Sequence, residues 1–424
     1  MSKEKILIYS DSLTNPSGFG NNTRLISWAL AKKYEVHILG LQSNKDVVME
    51  LDIENETREV TEHAIKPLSG RQPDLGYAAM PKLLDELEPE ILLTLNDIQL
   101  VGHIPQMMCP QHVQLKVMDL PAKDFVPRSE INMQLDGVLQ KFRERFPRKT
   151  KWIMYAPHDG VPPLYNWKFT YQMADKCVAM SKFGQKIFSD YFNMDVPFIW
   201  HGVDSAIFKP GTKPDEVKDK FVVGDINRNQ VRKQPVRLIQ AFAKFAKDKD
   251  DVLLHLQKEW NPDYGYNLEH FVKHYKIHNK LIKPFQYGVN RQSVANIMNL
   301  WDVNMMPVEG EGFGFPIIES GMCAKPTIMS DYTTARELIT EGKPCPRGQL
   351  VKGSMYWHQL QLRACQSYHI DIDDTVKALN KYYHSRQMLE RHGRNARKWA
   401  LKNVAMKKLQ YDWIKLVEDT LNGE

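Results

Sequence analysis

Among its five cysteines the 424-residue sequence has no CxxC pair, and it has no long apolar run and no large excess of either charge. Cys109, Cys177, Cys323, Cys345 and Cys365 are scattered and odd in number, which excludes a disulfide framework and a zinc-finger spacing and points to a reducing interior. No segment approaches the roughly 18 uninterrupted apolar residues of a membrane span. The opening "MSKEKILIYSDSL" holds only about four apolar residues in a row, too few for a signal peptide. A cytoplasmic location is therefore expected, with peripheral attachment to a membrane surface left open. Lys and Arg total 57 against 51 for Asp and Glu, a net charge of +6 that suits an anionic ligand without requiring nucleic acid or lipid.

What the chain has is length enough for two cores and an alternation of apolar runs with amphipathic stretches. "KILIYS" (5–10) reads as a buried strand, "DSLTNPSGFGNN" as a loop, "TRLISWALAKKY" as a helix and "EVHILGLQ" as a second strand. Further strand-like runs are "EILLTL" (90–95), "VQLKVMDL" (113–120), "KWIMYAP" (151–157), "KCVAMS" (176–181) and "VPFIWHGV" (196–203). The stretch 204–220, rich in Pro, Gly and charge, has the composition of an interdomain linker. The alternation then restarts with strands at 221–227, 251–258, 302–307 and 325–330 and helices at 235–249 and 291–301, and two charged helical segments end the chain. The expected organisation is two doubly wound α/β domains, 1–205 and 206–395, with a terminal helix, 396–424, packing back on the first.

"PVEGEGFGFPIIESG" (307–321) runs from a strand into a glycine turn and then a helix that Pro316 can begin. Gly312 and Gly314 let backbone N–H groups approach an anion at a helix N-terminus, where phosphate is favoured. Glu311 precedes the turn, and Glu319 is expected in the first turn of the helix. Carboxylates repel phosphate but accept hydroxyl hydrogens, so the pattern suits a ligand with phosphates in the middle and hydroxylated rings at its ends. The bland alternative makes Glu319 a dipole-stabilising acid and Glu311 a surface residue.

The segment "EGEGFGFPIIESGMCAKPTIMSD" resembles the E-x7-E region of the retaining glycosyltransferases of family 4, which have the two-lobed GT-B fold. "NPSGFGNNTR", "APHDG", "VAMSKFGQKIF", "HGVDSAIFKPG" and "VGDINRNQVRKQPVRLIQAF" resemble further parts of that family in the same order. The resemblance implies a hexosyltransferase using a nucleotide-diphosphate sugar, UDP-sugar expected, with no metal and no other cofactor. It implies that Glu311 meets the donor sugar and Glu319 the ribose, while Gly312, Phe313 and Gly314 meet diphosphate and sugar. Arg228 and Lys233 match the basic pair, with Arg232 an equally placed competitor for the second role. Gly18 and Gly20 match the loop that approaches the diphosphate and acceptor, and His158 the residue near the transferred sugar. Arg and Lys beside a departing diphosphate stabilise charge that accumulates in the transition state.

A dinucleotide site at Gly18 and Gly20 is disfavoured because Thr23 stands where a third glycine belongs and the second strand ends without an acid. "DID" (371–373) reads as a helix cap or a metal-binding acid pair. "LQKFRERFPRKTKW" (139–152) is basic and aromatic and could dock a lipid surface or nucleic acid, or simply be a solvated helix face. "QKEWNPDYGYNLEHFVKHYK" (257–276) could form an aromatic platform. The acceptor is left as a glycan, a lipid or a hydroxymethylated DNA base. A GT-B phosphorylase and a non-catalytic sugar-nucleotide-binding relative are the other classes.

Overall fold

Short apolar runs flanked by charge become strands buried on both faces, as parallel sheets covered by helices require. The computed structural model describes residues 3–43, 45–65, 75–76, 79–102, 104, 150–282, 284, 289–341, 346–357 and 365–423. The described chain is α/β and divides into two units. The first comprises Met1–Pro157, Pro163–Ile199 and Leu409–Glu424, the second His158–Pro162 and Trp200–Lys408. The expected strand at 113–120 and all but the last three residues of the basic 139–152 stretch lie outside the described residues.

The first unit is built on strands β1 (Lys5–Asp11), β2 (Glu35–Leu41), β3 (Val47–Ile53), β4 (Glu56–Ala64), β5 (Ile91–Leu95), β6 (Lys151–Ala156) and β7 (Lys176–Ala179). Their order is β3-β4-β2-β1-β5-β6-β7. All neighbours are parallel except β3 and β4, an antiparallel hairpin. That hairpin was not anticipated. It turns on Glu54 and Asn55, both with left-handed φ (54° and 59°), the backbone of a two-residue turn usually signalled by Asn-Gly. Strand order reverses between β1 and β5, the switch point at which doubly wound sheets bind ligands. The last helix contributes to this unit from Leu409 onward, with Trp413 edge-on to Tyr155 at 5.0 Å.

Two local expectations are corrected here. The first helix runs Gly18–Leu30, so Gly18 and Gly20 lie in its first turn rather than in a loop. Ser17 is the reason: its Oγ accepts the Gly20 N–H at 2.9 Å, a Ser N-cap that starts the helix five residues early. Residues 196–203 form no strand. They make only isolated bridges, Ala179 with Phe198 and Val203 with Ala405.

The second unit holds β8 (Phe221–Asp225), β9 (Val252–Leu256), β10 (Leu281–Ile282), β11 (Val303–Met306), β12 (Thr327–Ser330) and β13 (Gly348–Val351). They form an all-parallel sheet in the order β10-β9-β8-β11-β12-β13. Alternate residues of β8 feed two separate apolar clusters, Phe221 and Val223 into one and Val222 into the other, as the period of a strand dictates. Gly224 is needed because a Cβ there would come within 2.0 Å of the Trp301 ring. After β13 an antiparallel pair follows, β14 (Gly353–Trp357) with β15 (Gln366–Ile370), which the sequence did not suggest. The expected linker belongs to this unit: Phe208 is 1% exposed in its core. The first of the two expected terminal helices is split at Ser385 into Ile372–His384 and Arg386–Asn403, with the Ser385 side chain capping the second. Asp371 caps the first, accepting the Asp374 N–H at 2.7 Å, and Asp373 pairs with Lys244. Among the described residues no helix is long and apolar enough to cross a membrane.

Candidate functional site

Strand order in the second unit reverses between β8 and β11, which are paired directly through Val223 with Val303 and Gly224 with Asn304. The loops leaving their C-terminal ends are the basic segment 226–233 and the glycine turn 307–314. The sequence separates these by about 80 residues, and the switch point brings them together.

Glu311 is where they meet. Its Oε2 pairs with Lys233 Nζ and lies 3.8 Å from Arg232 Nη1. Arg232 also donates to the Gly310 carbonyl at 3.4 Å, and the Arg232 carbonyl accepts the Glu309 N–H at 2.8 Å. Thr333 Oγ1 accepts the Glu311 N–H at 3.0 Å, and Thr334 Oγ1 donates to the Glu311 carbonyl at 3.2 Å. Both Arg232 and Lys233, between which the sequence did not decide, therefore face the same carboxylate. Arg228 on the same loop is exposed, and the cations on Glu311 are the other two.

Burial, and then the neighbouring Arg232 charge, push the Lys233 ammonium down to about 8, with Glu311 pulling the other way. Burial would raise the Glu311 carboxyl, but Lys233 and Arg232 outweigh it and hold Glu311 below its ordinary range. At neutral pH the cluster is a carboxylate beside two cations.

Gly314 closes the turn at φ 99° as N-cap of the Phe315–Met322 helix, with Pro316 in its first positions. A Cβ at Gly314 would lie 2.9 Å from Ile317 Cδ1 and 3.2 Å from Glu311 Cγ. Gly312, Phe313 and Gly314 are all buried. Phe313 and Phe315 hold the ring of His201 between them, with centroids 4.4 and 4.7 Å away. Burial depresses His201 to about 3, so the ring is neutral and serves as an aromatic wedge. Only "HGVD" hinted at it, within a segment read for its resemblance and not for its histidine.

His158 follows β6 in the chain but belongs with the second unit. It is 3% exposed, and burial lowers it to about 4 against the opposing charge of Asp159. The segment is tied down where Gly310 lacks a side chain, since a Cβ there would meet the Asp159 carbonyl at 1.9 Å. The Val161 N–H donates to Tyr332 Oη at 3.1 Å, and the Val161 carbonyl accepts from Gln366 at 2.8 Å. The Asp159 charge acts on both Lys233 and Glu311.

Glu319 is the fifth residue of its helix and not in the first turn as expected, because the helix begins at Phe315, one residue before Pro316. It is 3% exposed and paired with Arg291. Burial raises its carboxyl above the ordinary range, and Arg291 opposes that rise. Arg291 was missed, since nothing in the sequence joins it to a residue 28 positions away.

Three other buried charged residues were also missed. Asp225 at the end of β8 pairs with Lys258, both side chains fully buried, and accepts from Asn227 N and Nδ2 at 2.8 Å, fixing where the basic loop departs. Glu309, 1% exposed, lies 3.7 Å from His369 Nε2 on β15. In the 257–276 stretch, Trp260, Tyr266, Phe271 and Tyr275 pack against the core while Tyr264 is 92% exposed.

In the first unit, Gly20 permits a close backbone approach: a Cβ would meet the Asn15 carbonyl at 2.3 Å. Gly18 is exposed with open space around its missing Cβ. Glu62 on β4, 1% exposed, accepts from Ser12 Oγ and Leu13 N, each at 2.7 Å, and so fixes the start of the loop that leaves β1.

No curated protein sequence matches the chain. Among solved structures it is similar in fold to a sucrose-phosphate synthase from Thermosynechococcus elongatus (13% identity, TM-score 0.73, all of both chains). It is also similar to a glycosyltransferase from Rickettsia africae (13%, 0.69, all of both chains) and to Anabaena HepE in complex with UDP and glucose (16%, 0.65, 98% of this chain and all of that one). The fold is thus that of GT-B glycosyltransferases, two Rossmann-like units. Residues 208–399, which carry the Glu311 cluster, match the family described as Glycosyl transferases group 1, and with the shared fold this supports a transferase.

Proposed function

We propose that the protein is a retaining glycosyltransferase that moves a hexose from a nucleotide-diphosphate sugar to an acceptor hydroxyl. The observation that carries this is the Lys233–Arg232–Glu311 cluster beside the Gly312–Gly314 turn at a switch point. Two cations and a helix N-terminus suit a diphosphate, and a carboxylate at the same place suits sugar hydroxyls. HepE has been solved with UDP and with UDP-glucose, which supports UDP as the nucleotide.

Glu311 shares Lys233 and Arg232 between its carboxylate and any anion that binds beside it. A bound diphosphate would take Lys233 and Arg232 as its partners and release Glu311 to accept sugar hydroxyls. In the reaction the bond from the anomeric carbon to the diphosphate breaks, its electron pair leaving with the nucleotide. The acceptor oxygen bonds to that carbon on the same face, and its proton passes to the departing phosphate. Lys233 and Arg232 stabilise the growing negative charge, Glu311 and His158 orient the sugar, and Glu319 holds the ribose. Arg228 keeps its role at the diphosphate only if binding draws its exposed side chain inward.

A panel of nucleotide sugars with release of free nucleotide as readout tests this, run on glycan, lipid and hydroxymethylated-DNA acceptors. NMR of the product anomer tests retention. Turnover with retained configuration is expected. Nucleotide binding without turnover on any acceptor would favour a non-catalytic relative, and turnover with inversion would remove the stereochemical assignment.

A further inference from the structure

Glu319 is held from outside its own helix. Arg291, the first residue of the Arg291–Leu300 helix, pairs through Nη2 with Glu319 Oε1. The same guanidinium lies over the ring of Phe208, 4.9 Å from its centroid. The Arg291 side chain is 30% exposed and that of Glu319 only 3%. A guanidinium lying over an aromatic face and bonded to a carboxylate is held from two sides, which limits where that carboxylate oxygen can sit.

We infer that Arg291 is a positioning residue that makes Glu319 a selective acceptor for the ribose diol, so that the site prefers ribonucleoside diphosphates to their 2′-deoxy counterparts. The inference rests on the proposed nucleotide-sugar donor. An ionised carboxylate only accepts hydrogen bonds, and with Arg291 on Oε1 it retains acceptor capacity for hydroxyl groups. In a setting this buried, a carboxyl without a cation tends to take up a proton and become a donor on one oxygen, which weakens that match. A deoxyribose would leave a buried, oriented acceptor short of a partner, the mismatch that sites reject most strongly. Phe208 explains why the position is arginine: a lysine can neutralise Glu319 but cannot stack with the same fixed orientation.

The test is calorimetric binding of UDP and 2′-deoxy-UDP to the full chain, as wild type, Arg291→Lys and Arg291→Met, with thermal melting to verify folding. Wild type should prefer UDP by about tenfold or more, the weight of one hydrogen bond to a charged acceptor. Arg291→Met should bring the two ligands to within about twofold, with UDP losing more affinity than 2′-deoxy-UDP, which keeps one hydroxyl on Glu319, and Arg291→Lys should retain part of the preference. Arg291→Lys carries the comparison should the methionine variant fail to fold. An unchanged preference in the variants would overturn the inference, as would equal loss of both ligands, which would mean that Arg291 touches a group common to both. Wild type binding both ligands equally overturns the inference and leaves the donor reading standing. Binding of neither overturns both.

Discussion

Lys233 is the residue whose chemistry is most exposed to test, because burial and the Arg232 charge bring its ammonium down to about 8. The charged form is lost as pH rises through that value. The kcat/KM of the free enzyme should therefore fall on the alkaline side of about 8, and Lys233→Arg should push that limb upward out of range. Lys233→Ala and Glu311→Ala should each lower turnover by roughly 10²–10³, the usual cost of removing one preplaced group at a developing charge; rates within about threefold of wild type would strip both of their roles. His201 behaves oppositely. Its folded pKa of about 3 lies below the unfolded value of 6.5, so the unfolded state binds more protons once pH falls below 6.5. Stability from this group is complete above 6.5 and is lost as pH drops toward 3. His201→Phe keeps the ring between Phe313 and Phe315 without the proton, and its melting temperature should decline less on acidification than that of wild type. Residue identities of this kind were partly legible: Glu311 and Gly314 announce themselves by type and spacing, whereas Lys233 is singled out only by the family resemblance, with Arg232 its equal competitor. Arg291, Glu309 and Lys258 do not, because their partners come from other elements and burial cannot be read from one chain position.

At the scale of elements, legibility follows burial symmetry. "FVVGDIN" and "EILLTL" are apolar throughout because both faces of a parallel strand are covered, and they were found. β3 and β4 lie at the sheet edge with alternating exposed charges, and their turn uses Glu54-Asn55 in place of Asn-Gly, so no strong signal marked them. The first helix begins earlier than its glycines suggest because Ser17 supplies the cap three residues before Gly20. The glycine turn before the Phe315–Met322 helix is the clearest positive case, since only glycine adopts φ 99° cheaply. Gly314→Ala would add strain of about 1–3 kcal/mol and crowd Ile317 and Glu311. A melting temperature lower by several degrees and a weaker nucleotide affinity are expected, measured by thermal scanning with and without UDP. A variant that melts normally and binds UDP normally would mean that the turn accommodates a side chain.

At the scale of the molecule, the alternation of strand and helix announced two doubly wound units, but not which pieces of chain belong to each. His158–Pro162 joins the second unit by backbone contacts at Gly310 and Gln366, and Phe208 draws the supposed linker into the same core. Those are facts of packing that a composition shift cannot carry. The consequence is that the second unit by itself holds Lys233, Arg232, Glu311, Glu319 and His158, so nucleotide binding should be felt as stability of the folded chain. A ligand that binds only the native state stabilises it by about 2.7 kcal/mol at a hundredfold excess over Kd. UDP at that excess should raise the melting temperature of wild type by a few degrees, and Lys233→Ala should lose most of the shift at the same concentration. With protein cations and a helix N-terminus as the partners proposed for the diphosphate, removing divalent metal with a chelator should leave both the shift and the turnover intact. A shift that disappears on chelation and returns with added magnesium would instead place a metal between the diphosphate and the protein, and Lys233 would then no longer be its principal counter-charge.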